Sequence, residues 1–218
     1  MLAFYRSTVG KKIIMAVTGI IGIAFVILHM AGNLQAFAGA AKLNGYAAML
    51  HGPLAELVLV QRVVLVAAVV LHVLMAWQLT ARSRAARPMG YARRDTQIAT
   101  LASRTMRWGG VLLLIFIVLH ILHFTTNDFR PAGAFSSGDI YSNIVASFRI
   151  PWLTAFYLVA MVALGLHLYH GAWSSGRTLG VAPASRWPMR RRLALAIALL
   201  VAGGFALVPL AAALGILR

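Results

Sequence analysis

The chain has no cysteine, only four acidic residues and a single glutamate, Glu56. The first absence excludes disulfides, iron-sulfur clusters and thiolate metal sites built from this chain alone, leaving histidine, methionine and oxygen as metal donors. No carboxylate falls in the middle of an apolar run, so a carboxylate proton wire is not expected. Charged residues make up 11% of the chain, well below the quarter or so usual in soluble domains, while hydrophobic residues reach 61%. With a mean hydropathy of +0.83, the expected class is an all-α integral membrane protein.

Five apolar stretches are long enough, at about 20 residues, to cross the hydrocarbon core as helices. They lie near Ile13 to Ala31, Leu54 to Ala81, Trp108 to Thr126, Trp152 to Trp173 and Leu193 to Leu217. The first follows Lys11 and Lys12 and has "AGA" at 38–40, two features of a signal peptide, but its apolar run is longer than a typical signal core, so it is expected to stay as a span. Fifteen of the twenty Lys and Arg residues fall before helix one, between helices two and three, and between helices four and five. The positive-inside rule then predicts a cytoplasmic N-terminus and an outer C-terminus. The same clustering accounts for the net charge of +16 without nucleic acid, which is excluded as a partner.

Six of the seven histidines lie inside these stretches; His51 is in the first outer loop. Ionisable groups within a membrane are costly and are read as functional by default. His29 and His120 fall in the outer half of helices one and three. His72 falls in the inner half of helix two, and His167 or His170 in the inner half of helix four. His120/His123 and His167/His170 are each three residues apart and share a helix face. Two histidines at each of two depths is the pattern of two bis-histidine haem b groups stacked across a four-helix bundle, since a low-spin haem takes one neutral imidazole on each face of its iron.

"GIIGIAFVILH" ends at His29 and "GVLLLIFIVLH" ends at His120, so Gly19 and Gly110 each stand ten residues before a histidine. That is about 15 Å of helix. It puts each glycine at the depth of the other haem, where a missing side chain lets a porphyrin edge approach.

These residues resemble the diheme cytochrome b subunit of succinate dehydrogenase and fumarate reductase, the five-helix membrane anchor. The matching pieces are "TGIIGIAFVILHMAGNLQ", "AAVVLHVLMAW", "SRTMRWGG" leading to His120, and "HLYHGAWSSGRTLG". The resemblance implies axial ligands at His29, His72, His120 and His167, the last because Gly171 and Trp173 follow it at the family's spacing. It pairs His29 with His120 on the outer side and His72 with His167 on the inner side. His123 and His170 then lie one turn nearer the water, as candidates to bond a haem propionate, line a quinone pocket or pass protons.

The implied partners are an iron-sulfur subunit and a flavoprotein that oxidises succinate, on the cytoplasmic side of a bacterial inner membrane. The electron acceptor would be a quinone, menaquinone being the one whose low potential suits transfer across the membrane. Arg104 and Arg107 are candidates for inner haem propionates; His51, Glu56 and Arg62 are candidates for an outer quinone site. Competing readings are the diheme anchor of another quinone-linked enzyme, such as a hydrogenase or formate dehydrogenase, and a transporter with proton- or metal-binding histidines.

Overall fold

The computed structural model describes residues 2–86, 101–133, 135–136, 138–181 and 184–218. Arg87, Arg93 and Arg94 of the basic loop lie outside them. Among the described residues there is no strand. The helices are α1 (Leu2–Arg6), α2 (Thr8–Asn33), α3 (Ala40–His51), α4 (Ala55–Ala85), α5 (Leu101–Phe124), α6 (Ile140–Phe148), α7 (Pro151–Thr178) and α8 (Trp187–Ala213), with 3-10 turns at Leu34–Ala38 and Ala184–Arg186. Five of these, α2, α4, α5, α7 and α8, are long and apolar enough to cross a membrane, which makes this a multi-pass membrane protein.

Each end has a local cause. Ser7 begins α2 by accepting the Gly10 N–H at 2.8 Å. Gly10 also tolerates no side chain, because a Cβ there would collide with the Phe4 carbonyl of α1. Pro151 opens α7 in its first turn, where its missing N–H costs nothing. Asp139 caps α6 through the Ser142 N–H at 3.1 Å. At their basic ends the helices overrun the stretches expected from hydropathy, whereas at the other end α5 stops at Phe124, short of Thr126, and α8 at Ala213, short of Leu217. Arg82 and Arg84 ride on the last turn of α4, Arg104 and Arg107 on the first turns of α5, Arg177 on α7 and Arg190 to Arg192 on α8. Hydropathy registers only the apolar part of a helix, whereas long basic side chains let it continue into the interface. Two further helices, α3 and α6, occupy segments that the sequence reading treated as outer loops.

Facing residues fix the packing directions. Lys11 meets Gln78 and Thr18 meets His72, so α2 and α4 are antiparallel. Gly165 lies against Ala202 and Gly176 against Arg190, so α7 and α8 are antiparallel too. The helices pack in the order α4, α2, α7, α5, with α8 lying against both α7 and α2. Small residues permit the closest contacts: a Cβ on Gly165 would stand 3.2 Å from Ala202, and Gly204 leaves room for the Met30 thioether. The basic clusters gather at one end of the molecule. At the other end α3 and α6 pack together and α6 rests on α8 and α7, around Leu43, Tyr141, Val145, Phe148, Leu153 and Tyr157.

Candidate functional site

α2 and α5 do not pack closely backbone to backbone, and neither do α4 and α7. Their histidines nonetheless reach across. The rings of His29 on α2 and His120 on α5 have centroids 5.9 Å apart. Those of His72 on α4 and His167 on α7 are 6.1 Å apart. These are the two pairs that the sequence reading drew.

The pairs sit at different depths. A Cβ on Gly19 would lie 3.3 Å from Cε1 of His72, so the His72 pair stands level with a residue ten positions before His29, about 15 Å away along α2. On α5 the glycine near the His167 level is Gly109, which lines a cavity of about 280 Å³ with Thr105, Met106, Leu166 and His167. Its neighbour Gly110 has nothing within 4 Å of where a Cβ would be.

The upper pair, near α3 and α6, has aromatic walls. Phe25 stacks on His29 at 5.2 Å and Phe205 approaches it at 5.6 Å. Phe116 stacks on His120 at 5.6 Å, and Phe124 lies 5.7 Å away. Nδ1 of His120 is 3.3 Å from the Tyr157 hydroxyl. In the lower pair, Nδ1 of His72 is 3.1 Å from Oγ1 of Thr18, and Nδ1 of His167 is buried with no hydrogen-bond partner among the described residues.

His123 departs from its expected place near the water. It is 1% exposed, enclosed beneath α6 by Phe124, Phe129 and Phe135. Both its nitrogens are engaged, Nδ1 with the Tyr157 hydroxyl at 2.9 Å and Nε2 with Oγ of Ser147 at 3.1 Å. Neither is left for a metal, so the ring free to face His29 is that of His120. Tyr157, Thr18 and Ser147 were missed by the sequence reading. Only Thr18 carried any signal, as the residue before Gly19.

The remaining candidates are less gathered. His170 is half-buried one turn beyond His167, toward the basic end, and Arg104 and Arg107 are exposed at the start of α5. His51, Glu56 and Arg62 are all exposed; His51 bonds the carbonyl of Ala47 in its own helix at 2.8 Å. No described contact joins these three.

Two imidazoles on opposite sides of one metal, at about 2 Å each, have ring centres roughly 6 Å apart, which is the separation in both pairs. Among the described residues no cluster of three or more His, Asp or Glu could hold an ion. The donor set is therefore two neutral imidazoles per site with apolar surroundings, which fits the axial positions of a haem. Comparison with protein-family models, with curated proteins and with solved structures found no match for this chain.

Proposed function

We propose that this protein is the diheme cytochrome b membrane anchor of a succinate:quinone oxidoreductase in a bacterial cytoplasmic membrane. The observation that carries the reading is the double pairing: two histidine pairs at two depths, each spanning helices that otherwise stand apart, each at bis-imidazole separation. His29 and His120 would hold one haem b, and His72 and His167 the other. Bound there, the two groups would supply one-electron carriers at the two depths of the bundle.

The chain's own part is to hold, orient and enclose. Four neutral imidazoles offer the iron ligands, and Thr18 and Tyr157 bond the rings of His72 and His120 from behind. Phe25, Phe116, Phe124 and Phe205 keep water from the upper pair. Gly19 leaves its wall open beside His72. The basic end, with Arg82, Arg84, Arg104, Arg107 and Arg177, is the face for an iron-sulfur subunit carrying the flavoprotein. Electrons would pass from there to a membrane quinone, menaquinone in our reading. The test is assembly: co-expressed with such subunits, the chain should co-purify with a succinate-reducible b-type spectrum, and His29→Ala and His72→Ala should each remove one haem. Full haem content in both variants would reject the ligand set.

A further inference from the structure

The hydroxyl groups behind the histidines have a direction that decides where the imidazole protons sit. The hydroxyl of Thr18 donates to the Ile14 carbonyl, 2.8 Å away on the preceding turn. A hydroxyl has one proton. The same oxygen lies 3.1 Å from the Met15 carbonyl; with its proton shared between these two carbonyls, its contact with His72 Nδ1 at 3.1 Å is one in which the ring N–H donates. A neutral imidazole with its proton on Nδ1 keeps a lone pair on Nε2.

The upper pair reaches the same state by a longer route. Ser147 Oγ donates to the Asn143 carbonyl at 2.7 Å, a group that can only accept. With the proton on that carbonyl, the Ser147 oxygen accepts from Nε2–H of His123 at 3.1 Å. His123, 1% exposed and with no carboxylate bonded to it, is neutral there, because an unpaired buried cation is too costly. Its Nδ1 is the acceptor, and Tyr157 donates to it at 2.9 Å. The Tyr157 oxygen is left to accept from Nδ1–H of His120 at 3.3 Å. Four donors in a row, on three helices, end with a lone pair on His120 Nε2.

We infer that Thr18 on one side, and Ser147, His123 and Tyr157 on the other, are positioning residues that hold His72 and His120 as Nδ1–H tautomers and so present Nε2 of one histidine in each pair as a ready metal ligand. His123 is then neither a ligand nor a helix cap but the middle of the upper relay. The use of those lone pairs rests on the haem reading; the tautomers themselves rest on the hydrogen bonds and on the burial of His123. Among the described residues His167 has no such support for its Nδ1.

The experiment is nitrogen NMR on the full-length protein in lipid bilayers, isotopically labelled at histidine and reduced with dithionite so that any bound low-spin haem is diamagnetic. It reads which ring nitrogen carries the proton whether or not haem is present. Wild type should show His72 and His120 protonated at Nδ1. Tyr157→Phe should shift the His120 signal and leave that of His72; Thr18→Val should do the opposite. Ser147→Ala, which touches neither histidine of the upper pair, should also move the His120 signal, as a purely packing role for Ser147 would not. In haem-loaded protein the same variants should weaken the affected site alone by ~10–100-fold. His120 protonated at Nε2 in wild type, or unmoved by both Tyr157→Phe and Ser147→Ala, would overturn the inference. The optical spectrum of the same samples separates the two ideas: Nδ1–H histidines without haem would retain the tautomer assignment and reject the cytochrome, and haem with an Nε2-protonated His120 in the same sample would overturn the assignment while sparing the cytochrome.

Discussion

At the scale of single residues, Gly19 and His72 make the tightest statement about the lower pair. A Cβ at Gly19 would come to 3.3 Å of the ring, so Gly19→Ala must push the imidazole by a few tenths of an ångström and Gly19→Val by more. Expected is a graded loss of the lower haem, roughly tenfold in affinity for alanine, with the upper one retained; haem content per chain and the two resolved redox midpoints check this. His120→Ala should remove the upper haem outright, while His123→Ala should keep iron ligation and weaken it by ~10–100-fold, since it cuts the relay and not the bond. Depth along a helix, counted at a fixed rise, made His29, His72 and His120 legible in the sequence and left helix four with His167 or His170; only the family resemblance singled out His167. Their supports were not. Whether Thr18 or Tyr157 faces a histidine depends on how each helix is rotated against its neighbour, and a single sequence does not report that rotation.

At the scale of elements, α6 is the piece that sequence reading passed over. It is nine residues long and amphipathic, too short to register as a span, yet it buries His123 and supplies Ser147. Its attachment to α3 runs through Asn44, whose side chain donates to Asp139 at 2.9 Å and accepts the Tyr141 N–H at 3.0 Å. Asn44→Ala leaves that N–H unpaired and should cost about 1–3 kcal/mol, read as faster amide exchange across α6. The Ser142 hydroxyl, the Asn44 amide and the Ser142 N–H hold the Asp139 carboxyl below the ordinary carboxylate range. A depressed folded pKa means that this stabilisation is present above the free carboxylate's pKa and is lost as pH falls through the folded value. The protection of the α6 amides, their exchange rates corrected for the intrinsic base-catalysed pH dependence, should therefore fall on acidification, and Asp139→Asn should remove most of that change; an unchanged profile in the variant would place its origin elsewhere.

At the scale of the whole molecule, five spans alternate in direction and collect Arg82, Arg84, Arg104, Arg107, Arg177 and Arg190 to Arg192 at one end, with Arg62, Asp128, Asp139 and Glu56 at the other. The span count came directly from apolar run length, and the two-ended charge pattern from the loops between the runs. The order of packing did not, because every span is apolar on most of its surface and the pattern cannot say which face meets lipid. Since the chain has no cysteine, single cysteines can be introduced without background. Lys42→Cys should react with an impermeant thiol reagent applied from outside intact cells, and Arg192→Cys only after permeabilisation; the reverse would invert the orientation. The claim on which the account turns is that the two histidine pairs each hold a haem. The most direct measurement is a reduced-minus-oxidised optical spectrum of the purified full-length chain, quantified as haem per polypeptide: two b-type haems per chain are predicted, and a colourless protein, or one holding a single haem when fully loaded, would contradict it.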